Sequence, residues 1–222
     1  SYRFMDPFDI VRFVSHGSIC LSHDDVVIYI DPYRLEDDDH DADLIILTHS
    51  HPDHYSPADI ARVLQKDTCF VATPEAARLL VRDFEIDPDY LTEMMPGSPT
   101  VALECGATMR AVVAENKNHP EGFGFGVLLS FAGIRWYISG DTDVLDEDVR
   151  CDVLFVCCDG VWNMPNPVET ASQQILAMER RPKLVIPYHY GAPENPGTEE
   201  NGKALCSVLE ANGISCRELI RF

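Results

Sequence analysis

The sequence has few basic residues for its length. Its 222 residues include 17 Lys and Arg against 37 Asp and Glu, which gives a formal net charge of −20 at pH 7. Nucleic acids and anionic membranes are bound by basic surfaces, so this charge argues against both as partners. One metal site would account for only a small part of the acidic excess, and we expect most of it on the solvated surface, including residues 36–43. A neutral or modestly charged small molecule is the expected substrate.

Long apolar runs and closely paired cysteines are also lacking. No apolar run approaches the ~18 residues that span a membrane. None of the eight cysteines forms a CxxC pair, and most lie in apolar runs such as residues 153–158. This pattern is typical of reduced, buried thiols in a cytoplasmic protein, and not of a disulfide framework or a thiolate zinc site. We therefore expect free thiols at Cys20, Cys69, Cys105, Cys151, Cys157, Cys158, Cys206 and Cys216.

Short apolar segments separated by turns occur along the whole chain. They predict strands at residues 10–14, 18–21, 26–30, 44–47, 69–72, 101–103, 108–114, 126–131, 134–139, 153–158 and 184–188. Helices are expected after Ser56-Pro57, Thr73-Pro74 and Asn166-Pro167, where a capping residue precedes proline, and over residues 198–212. The order of elements predicts a mixed α/β fold with two packed sheets and outer helices, in one domain over residues 1–222.

The strongest chemical signal is the segment Thr48-His-Ser-His-Pro-Asp-His54, which directly follows a predicted buried strand. Four polar groups this dense cannot all be satisfied inside an apolar core. Imidazole nitrogens and carboxylate oxygens are ligands for Zn²⁺ and similar cations. The spacing lets His49 and His51 face one point, while Asp53 and His54 face a second point after the proline turn. The segment therefore predicts a metal site.

This HxHxDH pattern resembles the metallo-β-lactamase superfamily. The resemblance implies a four-layer αββα sandwich with further metal ligands at later strand ends. Asp141, in Ser-Gly-Asp-Thr142, matches the aspartate that bridges two metals in the family. His189, in Pro-Tyr-His-Tyr190, matches the last ligand of the family.

The third histidine of the family pattern departs from expectation. The family normally carries it just after the strand that here ends near Ala114, and the nearest position holds Asn116. His119 is the histidine close by. It could reach the metal through a longer loop, or it could serve as a second-shell or substrate-binding group.

More of the chain resembles the branch of ascorbate-6-phosphate-lactonase-like and related metal-dependent hydrolases. The matching segments start at His16, Asp31, Asn116, Gly140 and Pro187. The resemblance implies second-shell or substrate roles for His16, Asn116 and Tyr188. The Trp162-Asn-Met164 loop either contacts substrate or is an exposed turn.

The leading hypothesis is a hydrolase that uses one or two Zn²⁺ ions, with Mn²⁺ or iron as alternatives, to activate water. Its ligands would be His49, His51, Asp53, His54, Asp141 and His189, with His119 as a further candidate, and Asp53 would also serve as the catalytic carboxylate. A lactone, ester or amide is the expected substrate, and a small phosphodiester is the alternative. An iron-dependent oxidoreductase and a non-catalytic metal-binding module are the rival functions. In the family, di-iron members carry glutamate where this chain has His51, which favours hydrolysis.

Overall fold

The structure is a computed structural model that describes residues 5–222. Residues 1–4, which the predicted domain includes, lie outside the described part. A short helix, α1 (Pro7–Ile10), precedes a six-stranded sheet whose strands lie side by side in chain order. These strands are β1 (Val11–Ser15), β2 (Ser18–His23), β3 (Val26–Ile30), β4 (Leu44–Leu47), β5 (Cys69–Ala72) and β6 (Leu91–Glu93).

A seven-stranded sheet follows and repeats the same plan. Its strands are β7 (Val101–Ala102), β8 (Thr108–Val113), β9 (Phe125–Phe131), β10 (Ile134–Ile138), β11 (Val153–Cys157), β12 (Leu184–Tyr188) and β13 (Ser215–Cys216). In each sheet an antiparallel meander leads into parallel strands: β1 to β3 and then β4 to β6, and β7 to β10 and then β11 to β13. The predicted strands are present within one or two residues.

Two short strands escaped the sequence analysis. β6 and β13 have three and two residues, too few for an apolar pattern to appear. They are strands because they pair with neighbours, as Leu91 does with Phe70. A 3₁₀ turn at Pro88–Tyr90 leads into β6.

Three of the four longer helices start at the predicted prolines, and the last, expected over residues 198–212, starts at Asn201. The four are α2 (Pro57–Val63), α3 (Pro74–Phe84), α4 (Pro167–Ala177) and α5 (Asn201–Ala211). Ser56 and Thr73 accept hydrogen bonds from the backbone nitrogens of Asp59 and Ala76, as N-caps do. The prediction of a capping role for Asn166 was wrong. Its backbone is left-handed, with φ 50°, and its side chain accepts no capping bond.

The sheets pack face to face, and the helices lie outside them. Within β4, Leu44 and Ile46 face the core shared with the second sheet, whereas Ile45 and Leu47 face the cluster that includes Ile60 of α2. Burial on both faces explains why the strand is an unbroken apolar run. On the far side, residues of α4 and α5 pack on the second sheet. The result is the expected four-layer αββα sandwich.

The prediction of eight free cysteines was wrong for one pair. Cys206 of α5 and Cys216 of β13 form a disulfide across 4.9 Å between their Cα atoms. The turn after α5 brings these two half-exposed residues together, which the sequence pattern did not reveal. The other six cysteines are free. Among residues 5–222, no helix has the length and apolarity to cross a membrane.

Candidate metal centre

The candidate metal centre lies where strands of both sheets end. Thr48 and His49 follow β4 directly, Asp141 follows β10 after a two-residue turn, and His189 follows β12. His16 lies in the tight turn between β1 and β2, with φ 52°, and its carbonyl oxygen accepts a hydrogen bond from the His189 backbone nitrogen at 2.8 Å. The carboxyl ends of parallel strands meet at one edge of a sheet, and packing two sheets brings two such edges together.

The first group of donors consists of three imidazoles. Donor nitrogens of His49, His51 and His119 lie within 4.8 Å of one another. His119 Nε2 lies 2.9 Å from His51 Nδ1, and the Phe123 ring packs against both of these histidines. His119 therefore reaches the site through its longer loop. Three convergent imidazoles are a donor set suited to Zn²⁺.

The second group lies beside the first. Donor atoms of His16, Asp53, His54 and His189 fall within 4.8 Å of one another. His54 Nε2 is 3.2 Å from His189 Nε2, and His16 Nε2 is 2.8 Å from Asp53 Oδ2. The histidines are buried, whereas Asp53 keeps 33% of its side chain exposed. This group combines imidazole nitrogens with one accessible carboxylate.

Asp141 lies between the two groups. Its Oδ2 is 3.4 Å from His49 Nε2 and 3.1 Å from His54 Nε2, and its Oδ1 is 3.2 Å from His189 Nε2. His49 Nε2 is buried, and it makes no hydrogen bond within residues 5–222. An unpartnered buried nitrogen beside a carboxylate is costly unless a further atom binds there. The donor set therefore fits a metal cation.

Contacts behind the rings fix their orientation. Asp31 Oδ2 lies 2.7 Å from His54 Nδ1 and accepts the Thr48 hydroxyl at 2.6 Å. Because that hydroxyl donates to Asp31, its oxygen accepts from His49 Nδ1 at 3.0 Å. Both rings therefore keep a proton on Nδ1, and Nε2, which faces the cluster, is the nitrogen that each ring would offer to a cation. Such second contacts set the tautomer of metal-binding histidines.

A second buried carboxylate stands behind His189. Asp159 Oδ1 is 3.3 Å from His189 Nδ1 and accepts a hydrogen bond from Asn163 Nδ2 at 3.1 Å. Asn163 Oδ1 in turn accepts from Asn116 Nδ2, which also contacts His119 Nδ1. Asn116 thus supports His119 from behind, and its amide does not replace the histidine.

The charges of the cluster balance one another. Burial lowers the pKa of His49, as does the nearby His54, so His49 is neutral. Burial would also lower the pKa of His54 and His189, but Asp141 and other carboxylates outweigh it and raise both well above their usual value. Burial raises the pKa of Asp141, but the surrounding histidines outweigh it and hold the pKa well below its usual range. Protonated imidazoles therefore neutralise the carboxylates, a task that a divalent cation can take over.

The sequence analysis missed two residues of this site. Asp31 was noted only as part of a resemblance, and Asp159 was not singled out. Each follows the end of a parallel strand, β3 or β11, and that position was the available signal. Tyr188 has a supporting contact only, because its hydroxyl accepts from the Gly140 backbone nitrogen at 3.0 Å. Five of the donors line a cleft of about 490 Å³, which Trp162 also lines: His51, Asp53, His119, Asp141 and His189.

Comparison with known proteins identifies the family. The profile of the beta-lactamase superfamily domain matches residues 10–189, most of the chain. The chain belongs to the beta-lactamase superfamily. A UPF0173 metal-dependent hydrolase of Thermus thermophilus is 24% identical over 228 aligned residues, covering 92% of each chain.

Solved structures of the superfamily fold agree. A protein from Parabacteroides distasonis has a TM-score of 0.75 and 28% identity, over 94% of this chain and 91% of its own. CmlA, a diiron β-hydroxylase from Streptomyces venezuelae, has a TM-score of 0.68 and 15% identity, over 96% of this chain and 52% of its own. The family, the names of the relatives and the histidine–aspartate cluster all indicate the same class of activity. This superfamily member is a metal-dependent hydrolase.

Proposed function

We propose that this protein hydrolyses a lactone, ester or amide bond in a small neutral molecule at a zinc-type centre with one or two ions. The observation that carries the proposal is the pair of donor groups on either side of Asp141, at the base of an open cleft. A purely structural site would enclose its ion with protein ligands, whereas a catalytic site keeps a side open to substrate.

The two donor groups divide the ligands. His49, His51 and His119 would hold one cation, and Asp53, His54 and His189 the other, with Asp141 shared between them. Imidazole and carboxylate donors suit Zn²⁺, and Mn²⁺ and iron accept them as well. His16 adds a donor to the second group and holds Asp53 at 2.8 Å.

The chain's own residues prepare water and leaving group for reaction. A bound Zn²⁺-type cation supplies Lewis acidity and lowers the pKa of water from 15.7 towards ~7. Burial opposes the charge of Asp53, but His54 and the other histidines outweigh it and lower its pKa, so this carboxylate is ionised. Being partly exposed in the cleft, Asp53 can accept a proton from water and pass it to the leaving group. His16 keeps the carboxylate pointed at the cluster.

The test combines metal quantification with a screen of lactones, esters, amides and phosphodiesters. We expect His51→Ala and Asp141→Ala to abolish turnover while circular dichroism shows a folded protein. His40→Ala, which removes an exposed histidine outside both groups, should retain full activity. Retained turnover in either cluster variant would contradict the assignment. Hydrolysis of phosphodiesters in preference to the carbonyl substrates would favour the alternative substrate class.

An iron-dependent oxidoreductase is the second candidate, favoured by the shared fold with the diiron β-hydroxylase. Stoichiometric iron with a visible absorbance band, in protein purified without added metal, would support this candidate. Zinc or manganese without such a band is the result expected for the hydrolase.

A further inference from the structure

The lining of the cleft over the candidate metal centre differs from that of a typical anion-binding site. Beyond the metal donors, its walls carry Asn116, Asn118, Asn163, Pro52 and Trp162. None of the lining residues that the structure describes is Lys or Arg. Phosphate and carboxylate groups are commonly held by such cations. Among the described lining residues, a negatively charged substrate would therefore find no Lys or Arg clamp.

Trp162 provides the one large aromatic surface among the described residues that line the cleft. It is 56% exposed, while the other tryptophan, Trp136, is fully buried. Its indole makes no hydrogen bond and no ring contact with any part of the chain between residues 5 and 222. An exposed indole on a cleft wall offers a flat apolar face to a ligand.

The backbone beneath this indole is held firmly. Asp159 Oδ2 accepts hydrogen bonds from the backbone nitrogens of Val161, Trp162 and Asn163 at 3.1, 2.7 and 3.2 Å. The other oxygen of the same carboxylate lies 3.3 Å from His189 Nδ1. One buried carboxylate therefore fixes the loop of Trp162 and orients a histidine of the metal cluster.

We propose that Trp162 is a specificity-determining residue that stacks on a planar apolar group of a neutral substrate, while the asparagine amides bind its polar atoms. This inference rests on the proposed function, since it assumes that the reacting bond lies at the metal cluster. It narrows the substrate class to neutral aryl or similarly flat lactones, esters or amides.

The experiment uses two metal-binding probes that are uncharged in neutral solution and lose the same proton on chelation. They are benzohydroxamic acid and acetohydroxamic acid, which carry a phenyl ring and a methyl group in the same place. Binding to Zn²⁺-loaded protein is measured by calorimetry and by tryptophan fluorescence. We expect benzohydroxamic acid to bind about 3- to 10-fold more tightly than acetohydroxamic acid, the range typical of an aromatic contact. Trp162→Ala should reduce this ratio to near one, and Trp162→Phe should keep most of it. Val161→Ala, a neighbouring exposed residue outside the cleft lining, should leave the ratio unchanged.

The results separate this inference from the proposed function. If both probes bind but Trp162→Ala leaves their ratio at the wild-type value, Trp162 does not recognise the ring and the inference fails alone. If calorimetry shows that the wild type takes up no Zn²⁺, the metal site itself is refuted and both proposals fall. If the wild type holds Zn²⁺ and binds neither probe, the inference fails alone. Tighter binding of 4-carboxybenzohydroxamic acid than of the uncharged parent would overturn the preference for neutral ligands.

Discussion

Replacing Asp31 by asparagine tests a buried support of the candidate metal centre. Asp31 accepts three hydrogen bonds, from the Thr48 backbone nitrogen at 2.8 Å, from the Thr48 hydroxyl and from His54 Nδ1. An asparagine that keeps the backbone bond presents its amide nitrogen to the other two partners. That nitrogen donates, so the Thr48 hydroxyl must turn its proton towards His49, and His54 must give up its proton on Nδ1. Both imidazoles then carry a proton on Nε2, where a metal would bind.

The size of the effect follows from the number of rings affected. Loss of one such supporting contact typically weakens metal binding 10- to 100-fold. Asp31→Asn affects His54 directly and His49 through Thr48, so we expect the upper end, about 100-fold or ~2.7 kcal/mol. Zn²⁺ affinity is measured by competition with a chromophoric chelator, and thermal unfolding of the metal-free protein reports on folding.

Asp59→Asn is the matched control. Asp59 is also a buried carboxylate that accepts one backbone and one hydroxyl hydrogen bond, from Leu35 and Ser56, but it does not contact the cluster. We expect its Zn²⁺ affinity to stay within threefold of the wild-type value. A folded Asp31→Asn protein with wild-type Zn²⁺ affinity would refute the tautomer reasoning.

Three further predictions concern packing, pH and the disulfide. A Cβ at Gly17 would lie 2.7 Å from His54 Cε1, so Gly17→Ala should displace that ring and weaken Zn²⁺ binding by about tenfold or more. Gly133→Ala is the control, because it strains a turn that has open space around it. It should lower the melting temperature and leave Zn²⁺ affinity unchanged. Carboxylates raise the pKa of two cluster imidazoles in the metal-free protein, so a bound metal must displace their protons. Titrations at pH 6 and pH 8 should therefore show tighter Zn²⁺ binding at the higher pH. Equal affinities at the two pH values would contradict proton displacement. Cys216→Ser removes the disulfide, which joins residues 10 positions apart. The free energy of unfolding in denaturant should fall by about 2–3 kcal/mol, and Zn²⁺ affinity should stay unchanged. An unaltered free energy of unfolding would show that this disulfide does not stabilise the fold.

The candidate metal ligands were predictable to different degrees. His49, His51, Asp53 and His54 lie within six residues, so their density alone pointed to a cation. Asp141 and His189 are isolated in the sequence, and only the resemblance to a family selected them. His119 was an open alternative, because no local pattern indicates how far a loop extends.

The sequence by itself determined most of the elements of this protein, because the longer strands and the helices depend on residues close in the chain. The apolar runs set the strands, the proline-preceding caps set α2 and α3, and the acidic excess argued against polyanionic partners. Tertiary structure decided which distant residues meet. His54 and His189 are 135 positions apart and touch at 3.2 Å, and His51 and His119 are 68 apart and touch at 2.9 Å. The roles of Asp31 and Asp159 likewise depend on partners that only the packing of two sheet edges provides, because a buried carboxylate is defined by the groups that surround it.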